Sequence, residues 1–233
     1  MIKSFRKIRQ KLIEKTQTSK YIKYAIGEIV LVVIGILIAL QINNWNEQKK
    51  YNQLEKRYLK NLTKELKKDS IALLKNYIKL SHQARTKNPL IDILKKGKET
   101  DSLKKFFNLQ WRPIYPYTPL KSTFQEMTSS SHLNIINSDD LRSEIVKMYN
   151  SYEDLLRDEA FLMDYFKNLV NELSKNIPDL YSPSSKDILK LGENDYLLNS
   201  IRLNGAYTRL GNYEEKLEEC SSLLQNIKAY QEK

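Results

Sequence analysis

Cysteine, glycine and proline are scarce in this chain, and each shortage excludes a class of fold. Cys220 is the single cysteine among 233 residues, so no disulfide can form within the chain and the fold depends on packing. Six glycines and six prolines are few for a loop-rich or β-rich protein, and they favour long regular elements. The composition therefore predicts an all-α protein, with Cys220 as a small buried core residue.

Residue patterns that carry catalysis or metal binding are also missing. The two histidines, His82 and His132, are far apart, and no Cys/His cluster has the spacing of a metal site. The sequence contains no Gly-rich phosphate loop and no Gly-x-Ser-x-Gly motif. Ser131 precedes His132, but adjacent side chains rarely face each other and no orienting acid is evident. We predict that the protein is not an enzyme and needs no metal or cofactor.

Basic charge is concentrated at the N-terminal end of the chain. The formal net charge is +11, and the first 45 residues contain eight basic and two acidic side chains. The remaining excess is spread over the rest of the chain, without a nucleic-acid-binding signature. The distribution predicts membrane lipid as a partner of the N-terminal end and excludes nucleic acid.

One long hydrophobic run dominates the N-terminal part. Residues 25–42 read AIGEIVLVVIGILIALQI, and Glu28 is the only charge. Eighteen helical residues span about 27 Å, close to the ~30 Å of a hydrocarbon core. A cleaved signal peptide ends in small residues, whereas this run leaves through Leu40 and Ile42. A soluble core helix has a polar face, whereas residues 30–40 are apolar all round. The run is predicted to be a permanent transmembrane signal anchor.

The flanks of the run predict its orientation. Tyr21 and Tyr24 precede it and Trp45 follows it, as is typical of side chains at the two membrane–water interfaces. Eight basic residues lie before the run, against five in residues 41–60. Because the more basic flank stays in the cytoplasm, we predict a cytoplasmic N-terminus. The rest of the protein then lies outside the cytoplasm, in the periplasm of a cell with two membranes.

Three segments follow from these features: a basic cytoplasmic arm over residues 1–23, a transmembrane helix over 24–45, and an extracytoplasmic domain over 46–233. The arm has one apolar helical face, formed by Ile2, Phe5, Ile8 and Leu12. A helix of this kind can lie in the membrane interface and pair with anionic lipids. The alternative is a basic tail that only sets orientation.

The transmembrane helix carries four residues predicted to contact another helix. Glu28 is an intramembrane carboxylate, which is costly to insert. Contact with a partner helix would accommodate it, and so would snorkelling to the inner headgroups. Gly27, Gly35 and Ala39 lie on one stripe, where small side chains let helices approach closely. Gly27, Glu28, Gly35 and Ala39 are therefore the candidate contacts for a protein partner or a second copy.

The extracytoplasmic domain has the periodicity of long helices. Residues 46–85 lack Gly and Pro, so the membrane helix is expected to continue into them until Asn88-Pro89 ends the helix. Asn137 is the predicted N-cap of a second long helix. Its heptad positions from 141 to 173 hold nine apolar residues and Glu159. A last helix is expected from about 195 to 232, with Gly205 and Gly211 as candidate breaks.

These amphipathic segments need one another to bury their seams, which predicts an antiparallel helical bundle with coiled-coil-like seams. An extended coiled coil and a bundle completed by a second subunit are the alternatives. The segment 111–119 interrupts the helices, because its three prolines favour extended backbone. Its rings, Trp111, Tyr115 and Tyr117, form either a recognition loop or a clamp that pins the segment to the bundle. We favour the clamp.

The stretch from Tyr24 to Asn46 resembles the signature of a domain-of-unknown-function family of small bacterial membrane-anchored proteins. The matching motif residues are Gly27, Glu28, Asn43, Asn44 and Trp45. The resemblance also covers residues 5–9 and, more loosely, residues 123–136. Where similar proteins often carry glycine after a serine, this chain has Ser131. The resemblance implies a single-pass protein of the bacterial inner membrane and adds no activity.

We predict that the protein acts through protein–protein contacts of its helical outer domain and its membrane helix. The partner is either another protein or a second copy of the chain. The alternative is an envelope sensor that binds a small ligand in the bundle. Such a sensor would have to signal through a partner, because only some 23 residues lie on the cytoplasmic side.

Overall fold

The computed structural model describes the backbone of residues 18–232 and the side chains of residues 22–232. Every regular element in this range is helical, which confirms the predicted all-α class. The helices are α1 (Thr18–Lys96), α2 (Leu103–Trp111), α3 (Ser122–Ser129), α4 (Asp139–Asn176), α5 (Ser185–Lys190), α6 (Asp195–Arg202) and α7 (Ala206–Gln231). Two short 3-10 helices span His132–Ile135 and Leu191–Glu193. Most of the predicted basic arm, residues 1–17, lies outside the described residues.

The chain divides into two compact units, residues 1–54 and residues 55–233. The described part of the first unit is the N-terminal portion of α1. This helix is long and apolar enough to cross a membrane, and no residue of its most apolar window is buried. Nothing between Leu40 and Tyr51 interrupts it, as the lack of helix-breaking residues predicts.

The prediction that Asn88-Pro89 ends this helix is wrong. Helix α1 continues through Pro89 to Lys96, and Gly97 follows with a φ of +64°. Proline removes one backbone donor from the helix. However, the residues beyond it are buried in a cluster with α2, the end of α4, α5 and α6; they are Leu90, Ile91 and Leu94. Packing of this apolar surface outweighs the lost hydrogen bond.

Nine of the ten predicted heptad positions of α4 are buried, and Leu162 is half-buried. The apolar positions of the seam that are nearly inaccessible to solvent are Leu141, Ile145, Met148, Tyr152, Leu155, Phe166, Leu169 and Leu173. The predicted N-cap is wrong by one residue, because Ser138 accepts the Leu141 N–H at 3.2 Å. Asn137 instead donates its backbone N–H and its Nδ2 to the Glu55 carboxylate, both at 2.8 Å. Local spacing therefore assigns the cap to Asn137, but in the structure this residue binds the distant Glu55 carboxylate.

Two turns require a positive φ. Gly205 has a φ of +76° and separates α6 from α7, so the predicted last helix is broken there, whereas Gly211 lies within α7. Ser131 has a φ of +56° between α3 and the following 3-10 helix. The tight turn is therefore present, although a serine occupies a position that favours glycine.

Helix α7 packs against both α1 and α4 within the second unit. Its hydrogen bonds to α1 include Tyr213–Asn76, Cys220–Leu66 and Tyr230–Glu55. Those to α4 include Arg209–Glu159, Asn212–Asp158, Glu219–Ser151 and Asn226–Glu144. In both sets, residue numbers fall along the partner helix as they rise along α7. Cys220 is fully buried at this junction, as predicted.

Candidate functional site

The four candidate contact residues of the apolar helix are free of packing in the part of the chain that the structure describes. Gly27, Glu28, Gly35 and Ala39 are all exposed. A Cβ atom added to Gly27 or Gly35 would meet nothing within 4 Å. No packing within the described chain therefore accounts for small side chains at these two positions.

The candidate interface anchors are the aromatic residues at the two ends of the apolar run. Tyr24 and Trp45 are exposed, and the side chain of Tyr21 lies outside the described residues. The Lys49 ammonium lies 5.6 Å from the centre of the Trp45 ring, within reach of a cation–π contact. This end of the run thus combines an aromatic ring with a positive charge.

The candidate recognition loop is an extended segment over residues 112–121, between α2 and α3. Trp111 and Tyr117 are buried, whereas Tyr115 is 73% exposed. The Trp111 indole N–H donates to Asn108 at 3.1 Å, and its ring contacts Tyr181 edge-on at 5.5 Å. Trp111 and Tyr117 thus pin the segment to the helices. Tyr115 is the ring of the three that is accessible to a partner.

Side chains of α1 and α7 hold the backbone of this extended segment. The bonds are Arg209 to Ile114 O at 2.7 Å, Asn76 to Tyr115 O at 3.0 Å, Tyr117 N–H to Tyr213 Oη at 3.0 Å, and Leu120 N–H to Asp69 at 3.2 Å. Buried backbone groups without a partner are costly. These four side chains supply the partners that a neighbouring strand would supply in a sheet.

A buried ion pair joins α4 to α7. Arg209 Nε donates to Glu159 Oε1 at 2.8 Å, and its terminal nitrogen donates to Oε2 at 2.6 Å. The Arg209 and Glu159 side chains are 3% and 1% exposed. This bidentate geometry is the strong form of the interaction. It also explains why the heptad seam tolerates one acidic residue.

Polar side chains cluster around Asp69 in the core. Within residues 22–232, the buried hydroxyls of Tyr117, Tyr149 and Tyr152 and the Oδ2 atom of Asp69 have no hydrogen-bond partner. Burial raises the pKa of the Asp69 carboxyl, and it raises the pKa of all three tyrosines. Burial also raises the pKa of the Cys220 thiol to about 11. A buried, protonated thiol is a poor nucleophile, so Cys220 is expected to be unreactive towards reagents in solution.

A second polar cluster lies near the start of the second unit. The Tyr58 hydroxyl lies 2.8 Å from His132 Nδ1 and donates to Glu126 at 3.1 Å. Arg57 donates to the same Glu126 oxygen at 3.1 Å. His132 thus pairs with Tyr58, far away in sequence, and not with its neighbour Ser131.

Lys87 is buried and its charge is only partly compensated. Its Nζ atom donates to Arg202 O at 3.0 Å and lies 4.6 Å from the centre of the Tyr207 ring. Burial lowers the pKa of the Lys87 ammonium to about 8. The uncharged form is therefore more favourable in the folded protein than in the unfolded chain.

This pKa shift predicts a pH-dependent stability. Between about pH 8 and 10, the unfolded chain binds a proton at Lys87 that the folded protein does not, so the free energy of unfolding rises with pH. We expect the difference in unfolding free energy between wild type and Lys87→Met to change by about 1 kcal/mol from pH 8 to 9. Urea titrations at both pH values measure it, with the exposed Lys60→Met as control. A pH-independent difference would contradict the assignment.

A groove of about 730 Å³ lies between α4, α7 and the 3-10 helix at His132–Ile135. Its charged lining residues are Arg142, Lys147, Asp154, Glu215, Lys216 and Glu219. Lys216 donates to Glu219 at 2.8 Å, and Glu219 accepts a bond from Ser151 at the same distance. Cations and carboxylates are equal in number here, so the groove carries no strong net charge.

These features define a helical protein with one candidate membrane-spanning helix and a separate helical unit. The chain belongs to the Family of unknown function (DUF6090), whose match covers residues 28–204. This confirms the resemblance to a family of unknown function. The match begins at Glu28 and ends before α7. No curated protein and no solved structure is significantly similar to the chain.

The sequence patterns did not identify Arg209, Tyr213 or Asp69 as anchors of the extended segment. Asp69 was detectable because it interrupts an apolar stripe on α1, formed by Leu59, Leu62, Leu66, Leu73, Tyr77 and Leu80. Glu159 was detectable as the acidic position in the heptad seam. Nothing in the local pattern marks Arg209, because its partners are 50 and 95 residues away.

Proposed function

We propose that the protein is a single-pass, non-enzymatic protein of the bacterial inner membrane, with a cytoplasmic N-terminus. In this proposal the second unit is an antiparallel helical bundle outside the cytoplasm, and the protein works by contact with other proteins. The apolar part of α1 anchors it and pairs with the membrane helix of a partner or of a second copy. The basic flank before the run supports the orientation.

The hydrogen bonds of α7 support the antiparallel bundle. Tyr213 bonds to Asn76 and Tyr230 to Glu55, so α7 runs opposite to this part of α1. The bonds from α7 to α4 follow the same opposite order. Three helices connected in this way bury their apolar seams against one another.

The exposed face of α1 around Gly35 is the observation that carries the proposal. Its glycines meet no neighbour in the described chain, although small side chains in membrane helices typically permit close approach of a second helix. Glu28 lies near this face, and a hydrogen bond from a partner helix would lower the cost of burying its carboxyl group in lipid.

Substitutions on this face test helix pairing. We expect Gly35→Leu to weaken a complex formed in membranes about tenfold, because a large side chain separates the two helices. Glu28→Gln should also change assembly by removing the charge while keeping the size. Val33→Leu adds bulk on a different face and is the matched control. The yield of in-cell crosslinks of the full-length protein, identified by mass spectrometry, measures assembly.

The outer unit should keep its thermal unfolding transition in all three variants, because none of the substituted residues belongs to it. If Gly35→Leu and Glu28→Gln both leave crosslinking unchanged, pairing through this face is wrong. Crosslinks to one other protein would indicate an accessory subunit, whereas crosslinks between copies would indicate a homo-oligomer.

A second candidate function is a sensor of small molecules, and the groove between α4 and α7 favours it. Three cations and three carboxylates in a space of about 730 Å³ suit a zwitterionic ligand. A rise in melting temperature on addition of free amino acids would support this function over simple assembly. The groove is far in sequence from Gly35, so Gly35→Leu should leave such binding intact.

A further inference from the structure

The outward face of α1 in the second unit combines apolar and basic side chains. Ile71, Leu74 and Ile78 are 70%, 47% and 47% exposed. Their spacing of three and four residues places them in one row, facing away from the buried row that includes Leu66, Leu73 and Leu80. The row has the spacing of a helix–helix seam, and no helix of the described chain covers it.

Positive charge surrounds this apolar row. The exposed basic side chains on the same face are Lys64, Lys67, Lys68, Lys75, Lys79 and Arg85. Within residues 22–232, none of these six lies within ion-pair distance of a carboxylate. Between residues 56 and 91 the chain has only two acids. Glu65 is engaged by Ser122 and Thr123, and Asp69 is buried.

We propose that this face of α1, called here the basic seam (residues 64–85), binds an acidic amphipathic helix of a partner protein. Apolar residues of that helix would pack on Ile71, Leu74 and Ile78. Its carboxylates would pair with Lys68 and Lys75, which flank the row on one side. The inference deepens the proposed function, on which it rests, by stating the chemistry of the partner.

Charge decides between occupants of the basic seam. A second copy docked through the same face would bring Lys68 and Lys75 opposite lysines, which is destabilising. A nucleic acid would match the lysines and leave the row of isoleucine and leucine uncovered. An anionic membrane would take up both the row and the lysines, so binding to anionic lipid is the competing outcome of the test. The row is one residue wide, with the three- and four-residue spacing of a seam for a single protein helix, which favours the helix. A helix with apolar and acidic residues satisfies both halves of the face.

The test uses the full-length protein in nanodiscs of zwitterionic lipid and a fluorescent model peptide. The peptide is helical, with leucine in the seam positions and glutamate beside them, and a second peptide carries lysine in place of glutamate. We expect fluorescence anisotropy to show saturable binding of the glutamate peptide and at least about tenfold weaker binding of the lysine peptide. Higher salt should weaken the glutamate peptide's binding.

Variants locate the binding surface. Leu74→Asp and Lys75→Glu should each reduce affinity for the glutamate peptide about tenfold or more, because they place negative charge in the seam. Leu203→Asp alters an exposed leucine outside the seam and should leave affinity unchanged. Both altered residues of the seam are exposed, so the fold should tolerate them, and circular dichroism checks this.

Several outcomes would overturn the proposal. These are equal binding of the two peptides, affinities unaffected by Leu74→Asp, or binding only to anionic-lipid nanodiscs or polyuridylate. In cells, a photoreactive residue at position 74 should crosslink to an acidic helical segment of another protein, and a crosslink to a second copy would contradict it. Gly35→Leu does not touch the seam, so membrane-helix pairing and seam binding can fail separately.

Discussion

Replacement of Arg209 by methionine is expected to lower the free energy of unfolding by about 3–5 kcal/mol. The substitution leaves the Glu159 carboxylate buried without its cation, at a position where both partners are at most 3% exposed. It also removes the donor to Ile114 O and so loosens the extended segment. Urea unfolding of the full-length protein, followed by circular dichroism, measures the loss.

Two further variants separate the buried charge from the other effects of Arg209→Met. The double variant Glu159→Leu/Arg209→Met should recover more than half of the loss, because no unpaired charge remains. Some loss should persist, since Ile114 O still lacks its donor. Arg157→Met removes an exposed arginine that pairs with Asp154, and it should cost less than about 0.5 kcal/mol. Equal stability of wild type and Arg209→Met would refute the role given to the pair.

Alanine at position 192 is expected to lower the free energy of unfolding by about 1–3 kcal/mol. Gly192 lies in the 3-10 helix Leu191–Glu193, and a Cβ atom there would lie 2.1 Å from the backbone oxygen of Leu94. Because this neighbour is backbone near the end of α1, it cannot rotate away as a side chain would. The clash should displace the 3-10 helix from α1 and loosen the cluster that contains Leu94 and Leu191.

The same substitution at position 211 is the matched control, with an effect of opposite sign. Gly211 lies within α7, and an added Cβ atom would meet nothing within 4 Å. Alanine is the better helix former, so Gly211→Ala should raise the free energy of unfolding by about 0.5–1 kcal/mol. Destabilisation by both alanines, or by neither, would contradict the packing assigned to Gly192.

Local patterns predicted those parts of the fold that local physics determines. The heptad spacing on α4 identified its buried seam, because side chains three and four residues apart share one helix face. The apolar run identified the helix able to cross a membrane, since length and hydrophobicity alone decide that property.

Tertiary contacts determined the features that the sequence could not predict. Helix α1 passes through Pro89 because Leu90, Ile91 and Leu94 are buried against other helices. Asn137 is not a cap because the Glu55 carboxylate, 82 residues away, binds it. The buried pairing of Arg209 with Glu159 depends on which faces of α4 and α7 meet. Periodicity predicts which face of each helix is buried, but it does not predict which two faces pack together.

The dependence of the extended segment on α7 sets the order in which the protein can fold during synthesis. Ile114 and Tyr117 are bound by Arg209 and Tyr213, which follow 95 and 96 residues later. At about 5–20 residues per second, a ribosome needs about 5–20 s to make that interval. Until then the Ile114 carbonyl and the Tyr117 N–H lack their partners on α7, so this part of the segment cannot be fixed against the bundle. Substitutions of Arg209 or Tyr213 that remove these two bonds would leave the segment in this unfixed state after synthesis as well.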